Sequence, residues 1–446
     1  MKNISPANFR APQEVVDRIV DDCYEPKEQQ ESIQIMSNIS LVCRAFRRRA
    51  QKYIFSRVEF DASPAKIFAL AGLLEIIQQT PEIGASISEI HLVLDDHDRP
   101  WFATHRKFIQ VMALTNVKSL RLSSDSGLPE PPIHETAALE TKFWKPYIAP
   151  SLTSLTLTRI FDFPVGLLSQ CTNLSDLTFS MVGLYRGKQR TKNIPPHPFP
   201  QIRKLKYELQ DTALDFLLQE QTPDGRQYLD FSRLRSLHVE VSSVEKIKST
   251  RELIEISGGY LEELHINEVD WSEGHEYFSL QNLLDLRRAV ALQQLKVDVV
   301  FAGPTRGEDS LLALSSILQT IPHDNHMRRL FINCYIGYDG WATLESCFNA
   351  KWSALDADLL HLSNSKSLHV DLFLIYQPDE ETLDEHRGEE RMTEKLRELY
   401  DPLLDKLAPD ISPYKTSRSP LSGCVISKDS VPISKVFYSY HPGLLY

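Results

Sequence analysis

The sequence predicts an α/β repeat fold, with parallel strands inside and helices outside, preceded by a short three-helix module. Three observations lead there. A phrase made of an apolar residue, two polar residues, Leu or Ile, any residue and a second apolar residue recurs roughly every thirty residues. Segments with apolar residues at helical spacing lie between its copies. Residues 1–60 lack the phrase and carry short amphipathic runs instead.

In that first segment Pro12 suits the first turn of a helix, where a missing N–H costs nothing. Val15, Val16, Ile19 and Val20 follow on one apolar face, with Glu14, Asp17, Arg18 and Asp21 between them. A polar link at Glu28–Glu31 leads to a second run through Ile35, Ile39, Val42 and Phe46, and then a third through Tyr53, Ile54 and Val58. Helices this short cannot each bury a stripe alone, so the reading packs them together and onto something larger.

From Ile87 the phrase takes over, as Ile-Ser-Glu-Ile-His-Leu at Ile87–Leu92. Further copies stand at Val117–Leu122, Leu152–Leu157, Leu174–Phe179, Ile202–Tyr207, Leu234–Val239, Leu261–Ile266, Leu292–Val297 and Met327–Ile332. A last copy at Ser365–Val370 opens on serine. The Leu-x-Leu part reads as a strand with alternate residues turned inward. Helical spacing covers Thr104–Leu114, Val244–Ser257, Phe278–Val290, Asp309–Gln319 and Asp339–Phe348. Strand–helix alternation at a fixed period stacks into a parallel sheet with helices outside. Proline-rich breaks at Ser123–Pro132 and Arg186–Pro200 read as loops. The expected organisation is a helical module at 1–60, the solenoid at 61–376, a capping helix at 377–407 and a partly ordered tail at 408–446, which is either disordered or a terminal strand pair.

Two family resemblances rest on these residues. The strand–helix phrase resembles the leucine-rich repeat, which implies a horseshoe, here an irregular one with a varying period and few of the asparagines that usually end each strand segment. The pattern Pro-x-Glu-Val-Val-Asp-x-Ile-Val, a spacer, Ser-Leu-Val-Cys-Arg-Ala-Phe and Tyr-Ile-Phe-x-x-Val resembles the F-box in the form common in fungal proteins. It departs from that family at Ala11 and near Cys23, where leucine is usual. The resemblance implies a module that docks the Skp adaptor of SCF (cullin–RING) ubiquitin ligases. Carried over by position, the adaptor-facing set is Pro12, Val15, Ile19, Val20, Leu41, Val42, Cys43 and Phe46. A leucine-rich scaffold whose first helices are only a cap is the other reading.

Composition narrows the function. The formal charge of −11 argues against nucleic acid as the main partner. No apolar run approaches the ~20 residues of a membrane span, and the first ten residues lack a signal-peptide core. Six scattered cysteines without a CxxC pair read as reduced thiols, so the expected location is cytoplasmic or nuclear. Gly-rich phosphate loops, Gly-x-Ser-x-Gly and His-Glu-x-x-His are absent, so no catalytic residue, metal or cofactor is expected. His323 and His326 are two ligands on a turn without a third, and Asp95, Asp96, His97 and Asp98 read as a solvated strand exit. The run Arg44–Lys52 reads as a solvated helix face that suits an acidic partner. Ser417, Ser419 and Pro420 have the form of a tail phosphorylation site.

If Leu-x-Leu points inward, the residue between lines the concave face. That row is His91, Arg121, Thr156, Thr178, Lys206, His238, His265, Lys296, Phe331 and His369. Two residues further stand Val93, Ser123, Thr158, Ser180, Glu208, Glu240, Asn267, Asp298, Asn333 and Asp371. The expectation is a basic or titratable column beside an acidic one, offered to a polar segment of a target protein or simply paired across strands.

Overall fold

The structure, a computed structural model, describes residues 12–24, 29–61, 64–94, 101–124, 139–186, 199–208, 213–222, 225–241, 244–268, 284–301, 310–322, 324–336, 350, 352–363, 368–376 and 431–440. The chain divides into two units, Met1–Gln201 with Asp211–Leu229, and Ile202–Gln210 with Asp230–Tyr446.

The first unit opens with α1 (Gln13–Asp22), α2 (Gln29–Ser40) and α3 (Arg44–Ile54). Val20, Met36 and Ala50, one from each helix, bury completely against one another, and Tyr24, Ile39, Phe46, Tyr53 and Ile54 close around them. Two expectations need correction. The run from Ile35 to Phe46 is not one helix: Cys43 is extended (φ −160°), which ends α2 and restarts the chain as α3. Arg47 Nε reaches back 3.2 Å to the Ser40 carbonyl, satisfying an acceptor that the helix end leaves open. Val58 is not helical either, because strand β1 begins at Arg57.

Parallel strands β1 (Arg57–Phe60), β2 (Glu89–Leu94), β3 (Ser119–Ser124), β4 (Ser154–Pro164) and β5 (Asp176–Tyr185) follow in chain order. Parallel neighbours need crossover connections. These include α4 (Pro64–Gln79), α5 (Pro81–Ser86), α6 (Arg106–Met112), a π-helical segment at Leu139–Ile148 and the short α7 (Val165–Leu168). Also in this unit is α8 (Ala213–Gln219). Phe108 of α6 meets Phe60 edge-on at 5.3 Å, so helix and sheet share one core. Strands β4 and β5 overrun the others. Their register shifts between Ile160 and Phe163, and Arg159, Asp162 and Met181 take positive φ there.

The second unit repeats the plan with β6 (Lys204–Glu208), β7 (Ser236–Val241), β8 (Glu263–Glu268), β9 (Gln294–Phe301), β10 (Arg329–Ile336) and β11 (Leu368–Tyr376), all parallel. Strand β12 (Val431–Tyr440) pairs antiparallel with β11. Helices α9 (Val244–Ser257), α10 (Ser310–Leu318) and α11 (Trp352–Ser363) lie between strands. Residues 284–290, within the expected helix Phe278–Val290, form turns instead. The expected helix Asp339–Phe348 and the capping helix at 377–407 lie outside the described residues.

The recurring phrase has a backbone reason. Its opening residue is buried in every copy from Ile87 to Met327, beneath the strand that starts two residues later. Its first polar residue lends a carbonyl to the next repeat. The carbonyls of Ser88, Lys118, Arg203, Arg235, Glu262 and Gln293 each accept two amides, as Glu262 does from Gln293 (2.8 Å) and Gln294 (3.0 Å). The polar pair therefore links repeats through its main chain while its side chains stay clear of the core. Backbone approach is close elsewhere too. A Cβ on Gly84 would come within 2.6 Å of the Leu114 carbonyl oxygen, and one on Gly258 would collide with the carbonyl of Arg288.

Candidate interaction surfaces

In the helical module, burial sorts the sequence-predicted adaptor set into two groups. Val15 and Ile19 of α1 are 47% and 46% exposed, and Leu41 and Val42 at the α2–α3 turn are 75% and 68% exposed. Pro12 and Cys43 are exposed as well. Val20 does not belong with them: it is 0% exposed, because helical spacing turns it toward Met36 and Ala50. Phe46 is half-buried against the same core.

One polar knot holds α1 to α3, and sequence reasoning missed it. Asp21 accepts from Arg49 through both oxygens (2.6 and 2.7 Å) and from the Tyr53 hydroxyl at 2.7 Å. These donors, Arg49 first, hold the Asp21 carboxyl below its usual range. The signal was available: Arg49 and Tyr53 are four apart on one helix and so share a face. Tyr53 also stacks on Tyr24, with ring centroids 4.4 Å apart.

In the second unit the face opposite the leucine core carries two columns, as alternation requires. Lys206, His238, His265, Lys296 and Phe331 stand in register across β6 to β10 and are half-buried. His369 is not the next member. In the observed register Phe331 faces Asp371, and His369 faces Arg329, a shift of two residues.

The second column corrects the expectation of an exposed acidic row. Glu240 and Asp298 are 5% and 3% exposed, and Asn333 and Asp371 are buried too, whereas Glu208 and Asn267 are half-buried. Asp298 collects its neighbours' donors: Asn333 Nδ2 at 2.6 Å, His265 Nε2 at 2.9 Å and Lys296 Nζ at 3.7 Å. Lys206 pairs with Glu208 at 2.6 Å, and His369 donates to Asp371 at 3.1 Å. A carboxylate this buried keeps its charge only where donors replace water. The acids therefore sit under the column, answering the cations above them.

His238 packs against His265, with ring centroids 3.9 Å apart and the planes tilted by 36°. Burial first, then the proximity of His265, Lys206 and Lys296, pushes its pKa down to about 3, and Asp298 opposes this only in part. The pair is thus one neutral imidazole set beside a second that is hydrogen-bonded to a carboxylate.

In the first unit the matching row is His91, Arg121, Thr156 and Thr178, again in register. His91 is fixed at both ring nitrogens, by Glu59 at 3.1 Å and by Ser123 Oγ at 2.8 Å. Its pKa lies below the usual histidine value, chiefly through burial, with Glu59 opposing.

His323 and Asp95, Asp96, His97 and Asp98 lie outside the described residues, as do the predicted loop tips and Ser417, Ser419 and Pro420. Among the described residues no group of three His, Cys, Asp or Glu is placed to hold a metal. Among them, too, no helix is long and apolar enough to cross a membrane. No protein-family model matches the chain, and no curated protein matches it.

Proposed function

We propose that this chain is a non-catalytic substrate-recognition subunit of an SCF (cullin–RING) ubiquitin ligase. In this reading α1–α3 are an F-box that docks the Skp adaptor. The parallel strands belong to a leucine-rich repeat horseshoe that presents a target protein, and ubiquitin transfer is carried out by other subunits. The observation that carries the reading is the exposure of Val15, Ile19, Leu41 and Val42 on a module that has filled its own core with Val20, Met36 and Ala50. Aliphatic side chains left in water beside a complete core suit a partner that covers them. The basic side chains that follow on α3, Arg44, Arg47 and Arg48, are exposed and suit an acidic rim on that partner.

A second reading, a leucine-rich repeat scaffold with a helical cap, draws support from the open face, where the charges answer one another. A cap would turn Leu41–Phe46 inward on the first repeat. Leu41, Val42 and Cys43 instead face out.

Burying one aliphatic side chain is worth roughly 1.5–3 kcal/mol. The test is a pull-down of the full chain with purified Skp adaptor, comparing wild type with Ile19→Asp. Retention by the wild type and at least about tenfold weaker retention by the variant supports docking through α1. Failure of the folded wild type to bind the adaptor rejects the ligase reading in favour of the scaffold.

A further inference from the structure

We infer that Arg121 is an anchoring point for an oxyanion on a bound peptide, either the phosphoryl group of a modified side chain or a carboxylate. The inference rests on the reading of the open face as the target-binding surface, and it names the chemistry that surface selects. Lys206, Lys296, His265 and His369 in the second unit's rows, and His91 in the first unit's, each have a carboxylate within reach, at 2.6, 3.7, 2.9, 3.1 and 3.1 Å. Arg121 has none among the described residues, and its Nε is buried without a hydrogen-bond partner. A buried donor on a permanent cation is costly to leave unanswered, so a missing acceptor is the natural explanation.

The surroundings suit such an acceptor. A guanidinium presents a planar fork that matches two oxygens of a phosphate or carboxylate. Thr156 stands opposite Arg121 on the next strand and Thr178 one strand further. Adjacent strands lie about 4.8 Å apart, so both hydroxyls fall within the span of a peptide bound across the strands. Glu59, the exposed acid of the row, stands two strands from Arg121 and is engaged by His91 between them. Arg121 is the one cation of its row, between His91 and two threonines, and so fits a single oxyanion rather than a nucleic acid backbone, which needs a series of cations.

The test is nuclear magnetic resonance of the full chain with isotopically labelled arginine, the Arg121 Nε–H signal being assigned by its loss in Arg121→Lys. The probes are O-phosphoserine and acetate. A saturable shift of that signal is expected, weakened about fivefold in the Thr156→Val/Thr178→Val double variant, the loss of roughly one hydrogen bond. Tighter O-phosphoserine identifies a phosphoryl ligand, and equal or tighter acetate a carboxylate. An Arg121 signal that moves with neither probe, or only in step with all other arginines, overturns the inference. The adaptor pull-down on the same preparation separates the two proposals. Adaptor binding without an anion shift leaves the ligase reading standing alone, and an anion shift without adaptor binding removes that reading and keeps the anchoring point.

Discussion

Asp298 concentrates the chemistry of the second unit in one side chain. It is almost fully buried, yet it receives donors from β8, β9 and β10. Removing one member of a buried charged network leaves the others unpaired, so Asp298→Ala should cost about 3 kcal/mol, read as a lowered urea midpoint. Asp298→Asn, which keeps an acceptor oxygen, should cost less. His238 makes a second prediction. Its pKa of about 3 in the folded chain lies below the ordinary value of 6.5, so the unfolded chain binds the extra proton. Stability from this residue is complete above about pH 6.5 and is lost as pH falls toward 3. The groups that set this, besides burial, are His265, Lys206, Lys296 and Asp298. Between about pH 7 and 5 ordinary carboxylates stay charged, so a decline in the urea midpoint there reports on histidines. His238→Gln should flatten that decline, and an unchanged slope would refute the assignment. Neither feature was legible in the sequence, because a one-letter alternation shows which residues share a face but not which of them are covered.

At the level of elements, α1 offers a paired comparison between neighbouring residues. Ile19 is half in water and Val20 is not. Ile19→Asp should leave thermal stability within about 0.5 kcal/mol of wild type, as surface changes do. Val20→Asp puts a charge against Met36 and Ala50 and should melt the module, seen as loss of helical circular dichroism. Equal stability of the two variants would mean that the face assignment on α1 is wrong. The same elements show why some structure could be read in advance. The strands could, because a phrase repeated with its buried opening residue leaves little freedom. Strand β1 could not, since Arg-Val-Glu-Phe lacks the phrase and follows α3 without a glycine or proline to mark the change. Helix α4 was missed for the opposite reason: Ile-Phe-Ala-Leu-Ala-Gly-Leu-Leu has no polar face to reveal a period. The two-residue slip at β11 is subtler. Leu368, Val370 and Leu372 are all buried, and a shift of two keeps every side chain on its own face, so the pattern alone accepts either register.

On the scale of the whole molecule, repeats that touch only their neighbours unfold locally. In Asp298→Ala, amide hydrogen exchange should quicken in β8 to β10 more than in β6, and uniform quickening of the second unit would contradict nearest-neighbour coupling. The recurring phrase and the helical spacing between its copies carried most of the plan: parallel strands in chain order and helices between them were both anticipated. What they could not carry was the individuality of each repeat. That individuality bears on how such a gene can change. Repeat arrays grow and shrink when recombination copies or deletes a unit, provided any unit can sit beside any other. The segment from His265 to Asn333 does not meet that condition, since its central carboxylate draws on three successive strands. Losing the β8 or β10 repeat would strip a donor from a buried charge, and duplicating the β9 repeat would give two such charges one set of donors. Variation in repeat number should therefore be tolerated among the threonine-lined strands of the first unit and selected against here.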